Sequence, residues 1–192
     1  MWPWEHAAVA YLAYSLWCHG ARRRPPTDAG AVAVLLGSQF PDLVDKPLAW
    51  WVGVLPAGRS LAHSLLVALP LVVAVAAWTR WAGYRRVGGA FAVGYLSHLP
   101  ADVFYPVLLG SDGPAVSFLL YPLVPVGPGS QLDGFAKLQH LLAEFSTFLG
   151  TPRGTVYLLG ELGLLAAALA VWSGDGRPGL GVVRRRVRRA LA

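Results

Sequence analysis

Charge is scarce in this chain. Only 14% of its 192 residues are Asp, Glu, Lys or Arg and 55% are hydrophobic, where a soluble domain carries roughly 25% charged residues. Mean hydropathy is +0.50. Too few ionic groups are available to cover a water-facing surface, which excludes an ordinary soluble domain. Cysteine is almost absent: the single Cys18 rules out an internal disulfide and leaves the redox compartment unread. The opening Met1-Trp2-Pro3-Trp4-Glu5 has no basic stretch and no small-residue cleavage site follows it. The first apolar segment is therefore expected to stay in the mature protein. No internal repeat is visible, and no low-complexity tract apart from a basic tail.

What charge there is has a pattern. Twelve of the sixteen basic residues fall in three arginine groups: Arg22–Arg24; Arg80 with Arg85 and Arg86; and Arg177 with Arg184–Arg186, Arg188 and Arg189. Apolar segments separate them, at about 4–20, 29–43, 61–79, 87–106 and 154–173. A membrane span takes about 20 residues, and cytoplasmic loops collect Lys and Arg. Five crossings with the N-terminus outside and the C-terminus in the cytoplasm place every arginine group inside. An even number would strand one group on the wrong side. The first two segments are short enough to form a shallow hairpin instead, and Pro41 lies near the end of the second. The basic tail reads as lipid-facing, with no specific nucleic acid as partner.

The expected fold is all-α: an integral-membrane bundle of about five transmembrane helices, plus one amphipathic helix in an outer loop. Residues 1–176 form a single domain and 177–192 a cytoplasmic tail. Trp50 and Trp51 of the 44–60 loop suit an interfacial belt. Between Gln131 and Leu149, Leu132, Phe135, Leu138, Leu142 and Phe145 share one face at helical spacing, and Asp133, Lys137, His140 and Glu144 share another.

In this topology His6, Asp42, Asp45, His63, His98 and Asp102 all fall at the outer ends of apolar segments, and His19 falls at the opposite end. Ionisable residues near hydrocarbon are costly and mark function. Imidazole and carboxylate together suit Zn, Mn or Fe. His98 and Asp102, four residues apart, share one helix face. His140 and Glu144 make a second pair at that spacing, either as ligands or as part of a solvated stripe. Arg59 lies four residues before His63. It binds phosphate or steadies a developing oxyanion, or it snorkels to the interface and pairs with Asp45. Glu161 is the one acidic residue deep in the last apolar segment, facing either the site or a helix–helix hydrogen bond.

These residues occur in the order His6; Gly37-x3-Pro41-Asp42-x2-Asp45; Arg59-x3-His63-Ser64; Gly94-x3-His98-x3-Asp102; Leu119-Leu120-Tyr121-Pro122. Over residues 4–125 the chain resembles the membrane-bound, metal-dependent hydrolases described as LexA-regulated inner-membrane hydrolases. A more distant similarity links the order of ligands to zinc-dependent phospholipase C and its single-strand nuclease relatives, which cleave phosphoesters at three zinc ions. That similarity implies one ion on Asp42 or Asp45 with His63, His98 and Asp102. It implies a second on His6 and a bridging Asp102, and a third on His140 and Glu144. This chain departs from it: no histidine lies between Asp102 and His140, and Trp2 follows Met1 and offers no free amine. One or two ions are therefore expected.

The resulting expectation is a multi-pass membrane hydrolase using a divalent transition metal, zinc first among them. It would cleave a phosphoester, with a membrane lipid headgroup as the carrier, by attack of metal-activated water. Two other classes stay open. One is a metal-ion or proton-coupled transporter, although transport sites lie near the midplane in repeated folds. The other is a non-catalytic scaffold held together by a buried polar network.

Overall fold

The structure is a computed structural model that describes residues 1–127, 129 and 133–181. The described residues form six α-helices and no strand: α1 Pro3–Arg22, α2 Asp28–Trp50, α3 Leu65–Trp81, α4 Arg85–Leu109, α5 Gly134–Leu149 and α6 Pro152–Gly174, with a short 3-10 helix at Ser117–Leu120. Gln131 and Leu132 of the expected amphipathic helix, and the tail beyond residue 181, lie outside the described residues.

Local chemistry sets the helix ends. α1 opens on Pro3, whose missing N–H costs nothing in the first turn, and Glu5 Oε2 accepts the Trp2 N–H at 2.5 Å. It closes where Arg23 turns left-handed at φ 50° and its N–H returns to the Cys18 carbonyl. Asp133 caps α5 by accepting the Ala136 N–H at 2.9 Å. α2 runs past both Pro41 and Pro47 to Trp50, seven residues beyond the expected end. α4 likewise holds Pro100 and Pro106 within its length. Proline removes one ladder bond, and apolar helices tolerate it where neighbouring groups repair the loss.

Among the described residues, α6 is the one helix both long and apolar enough to cross a membrane; α3 is apolar but has 17 residues. At 1.5 Å per residue, the 23 residues of α6 reach about 35 Å, against a hydrocarbon core of about 30 Å. Val156, Leu159, Leu162 and Leu169 of this helix are exposed. The other long helices fall short in apolar character, because α1, α2 and α4 carry the polar residues of the candidate site.

The chain divides into two compact units. The first takes Met1, Phe40–Leu71 and Leu99–Gly163, and the second Trp2–Gln39, Val72–His98 and Leu164–Ala192. The second unit holds the hydrophobic cluster of Ala10, Tyr11, Tyr14, Cys18, Ala31, Ala33, Val34 and Ala90. Within it α2 and α4 cross at backbone contact. A Cβ added at Gly37 would strike the Phe91 carbonyl, and one at Gly94 would strike the Val34 carbonyl. Small residues permit such an approach, and it accounts for both glycines of the Gly-x3 motifs. In the first unit the Trp51 ring meets Phe135 of α5 edge-on at 6.1 Å.

Candidate metal centre

The first unit gathers three carboxylates around one imidazole. Asp42 and Asp45 lie one turn apart near the end of α2, His63 sits in the turn that leads into α3, and Asp102 lies in the second half of α4. All four are buried, Asp45 and His63 completely. His63 Nδ1 lies 2.8 Å from Asp45 Oδ2. A carboxylate at that position accepts, so Nδ1 carries the proton. The opposite nitrogen, Nε2, faces Asp42 Oδ1 at 3.5 Å and Asp102 Oδ2 at 3.4 Å. Asp45 also accepts the backbone N–H groups of Ser60, Ala62 and His63. It thereby holds the 60–63 turn in place as well as the ring.

Cations meet the remaining negative charge. Lys46 Nζ donates to Asp42 Oδ2 at 2.6 Å, and the Met1 amino group donates to Asp102 Oδ1 at 2.6 Å. Burial pushes that amine below its ordinary value, against the pull of Asp102. Three carboxylates within 3.5 Å of the His63 ring nitrogens favour a cation beside it.

In the second unit, His98 Nδ1 lies 2.6 Å from the Ser38 carbonyl. A carbonyl only accepts, so Nδ1 is the protonated nitrogen and Nε2 is left for another partner. The His6 ring stacks on His98 at 3.6 Å, nearly parallel. One helical turn separates His98 from Asp102 along α4. Asp42, His63 and Asp102 of the first unit each offer a ligand atom, and these atoms lie within 4.8 Å of one another. One imidazole and two carboxylates, with the far imidazole nitrogen held by Asp45, are donors that fit a divalent transition metal.

The other expected site residues stand as follows. Asp45 orients His63 and is outside the ligand group of the first unit; in the second unit His6 stacks on His98. Arg59 Nη1 donates to the Asp102 carbonyl at 3.4 Å, and its guanidinium lies 5.7 Å from the Phe118 ring centre. Phe118 in turn meets His63 edge-on at 5.8 Å. Ser64 Oγ donates to the Tyr121 carbonyl at 2.6 Å, which ties the Leu119–Pro122 motif to the His63 turn. His140 and Glu144 pair with each other at 3.2 Å on the exposed face of α5 and do not join the group. Glu161 is half-buried on α6. Lys46, the Ser38 carbonyl and the Met1 amine were not singled out by the sequence; for Lys46 the four-residue step from Asp42 was an available signal.

The model of the YdjM inner membrane protein family matches residues 1–174. The chain belongs to this family. No curated protein and no solved structure matches it. Membership of the YdjM family agrees with the apolar composition and with α6, and makes the chain an inner-membrane protein. The matched region includes Asp42, His63, His98 and Asp102.

Proposed function

We propose that the protein is a metal-dependent hydrolase of the inner membrane acting on a phosphoester, with a lipid headgroup as the substrate class. The observation that carries this reading is the buried Asp42, His63 and Asp102 of the first unit, with His63 oriented through its far nitrogen; His98, four residues before Asp102 on α4 and oriented by the Ser38 carbonyl, is the proposed fourth ligand. A divalent ion in such a group supplies Lewis acidity and lowers the pKa of water to about 7. Arg59, half-buried beside Asp102, steadies negative charge that develops on a phosphoryl group. Asp45 and the Ser38 carbonyl each hold the Nδ1 proton of their histidine, which makes Nε2 the nitrogen that would take the ion in place of a proton. Zinc suits the donor set best, with manganese or iron also compatible.

The same reading takes the membrane topology as five crossings, with the N-terminus outside and the C-terminus in the cytoplasm. Its support is that this threading puts all three arginine groups on one side, and a lipid surround is favoured by the inverted distribution of residue types. Leu35, Leu36, Leu66, Leu69 and Val73 are exposed, whereas Ser38, Asp42, Asp45, Ser60, His63 and Asp102 are buried. Water as the surrounding solvent would favour the reverse.

Elemental analysis of the detergent-purified protein, with turnover of a generic phosphodiester before and after His98→Ala, tests the proposal. One bound transition metal per chain and loss of both metal and turnover in the variant are expected. Full turnover in a metal-free preparation overturns it. A second reading is favoured by Lys46 and the Met1 amine, each bonded to a carboxylate of the group: a structural polar network that binds no metal. It predicts that chelators leave the protein's stability unchanged.

A further inference from the structure

The second unit contains a cleft of about 550 Å³, unrelated to the acidic residues of the candidate centre. Its walls carry Arg22 and Arg24 from the end of α1, Arg85 and Arg86 from the start of α4, and the hydroxyl-bearing Tyr14 and Thr27; no acidic side chain lines it. Arg23 turns left-handed at φ 50° and does not line it, although both its neighbours do. Arg22 is already ordered, its guanidinium 4.0 Å from the Trp17 ring centre. Asp28, next in sequence to Thr27, accepts the Gly179 N–H at 2.7 Å. Among the described residues, no ion pair engages Arg24, Arg85 or Arg86.

The positive-inside rule asks only that such arginines lie on the cytoplasmic side of the membrane. Here four of them, from two helix ends distant in sequence, surround one cavity, and like charges in such an arrangement repel. An anion removes that cost. Guanidinium groups match phosphate oxygens two by two, and the start of α4 adds the positive end of a 25-residue helix. The volume is within the range of small-molecule sites and exceeds the needs of a simple halide. Carboxylates have fewer oxygens to share among four guanidinium groups than a phosphate does.

We propose that this cleft binds a phosphate group, carried either by an anionic phospholipid or by a soluble phosphorylated molecule. The full chain, purified in a neutral detergent, is titrated with pyrophosphate and, separately, with short-chain phosphatidylglycerol, and bound ligand is counted by native mass spectrometry. One saturable equivalent is expected. Binding of the lipid alone assigns the headgroup as the source, and binding of pyrophosphate assigns the phosphate itself. The paired substitutions Arg85→Gln and Arg86→Gln weaken binding by roughly tenfold or more. Both side chains are exposed; should that variant fail to fold, Arg24→Gln serves instead. Arg80→Gln, on the last turn of α3 and outside the cleft, binds as the unaltered protein does. No saturable binding of either ligand, undiminished binding in the paired variant, or equal weakening by Arg80→Gln overturns the proposal.

Discussion

Asp45 grips His63 twice. Its Oδ2 meets the ring Nδ1 at 2.8 Å and also accepts the backbone N–H of the same residue at 3.3 Å. Ring and main chain are thus fixed by one carboxylate, and Nε2 is left facing Asp42 and Asp102.

The first prediction follows directly. Asp45→Asn keeps the side-chain shape but removes the charge that holds the His63 proton on Nδ1. Metal affinity falls by about 10- to 100-fold, as for other partners that orient a ligand. Competition with a chelator of known affinity measures it. An unchanged affinity would mean that Asp45 only braces the turn.

Gly94→Ala tests the helix crossing. The added methyl meets the Val34 carbonyl, a rigid main-chain group, so the two helices must separate. Overpacking of this kind costs about 1–3 kcal/mol. Thermal unfolding in detergent should show the loss, and metal binding should weaken with it because the Ser38 carbonyl moves away from His98. Gly113→Ala, where a Cβ meets nothing within 4 Å, serves as the neutral comparison.

Asp175 gives a pH dependence. Burial tends to raise its pKa, but hydrogen bonds from His19, Ser15 and Tyr11 prevail and hold it below the usual 3.8. The donors lie at 2.6, 2.7 and 2.7 Å respectively. A depressed carboxylate contributes stability that is present above its unfolded pKa and disappears as pH falls through its folded value. Stability measured from pH 6 down to pH 2, in steps about the unfolded value near 3.9, should decline on the acid side of pH 4. Asp175→Asn should flatten that limb and lower stability at neutral pH.

The five-crossing topology is open to labelling. With Cys18→Ser as background, Trp51→Cys should react with a membrane-impermeant maleimide in intact cells. Trp81→Cys should react only after permeabilisation. Both residues are exposed, at 54% and 86%, so access to the side chain does not limit the reaction. The opposite pattern, or equal labelling, would defeat the arrangement.

Much of the centre could be read from one dimension. His98 and Asp102 announced themselves by their four-residue step, because α-helical geometry places such residues on one face. Asp42 and His63 were legible from their positions at segment ends, where an ion is expensive. The distinct role of Asp45 was not, since two aspartates three residues apart look alike until a third element approaches. The Ser38 carbonyl was invisible for a different reason: every residue has a carbonyl, so a main-chain acceptor leaves no trace in composition or spacing. The second apolar segment is bounded at about residue 43 by its hydropathy, whereas α2 runs on through Pro47 to Trp50. Packing against α4 at Gly37 lies beyond any local propensity. The link from Asp175 to Tyr11, Ser15 and His19 spans more than 150 residues and had no local cue.

That main-chain acceptor has a consequence for how the protein can change. A side chain that sets the tautomer of a histidine can be exchanged in a single step, and the imidazole then turns or reprotonates. At His98 the acceptor belongs to the polypeptide itself, so Ser38→Ala leaves it in place. The choice of nitrogen is inherited from the way two helices lean on each other, and it can drift only if the bundle is rebuilt.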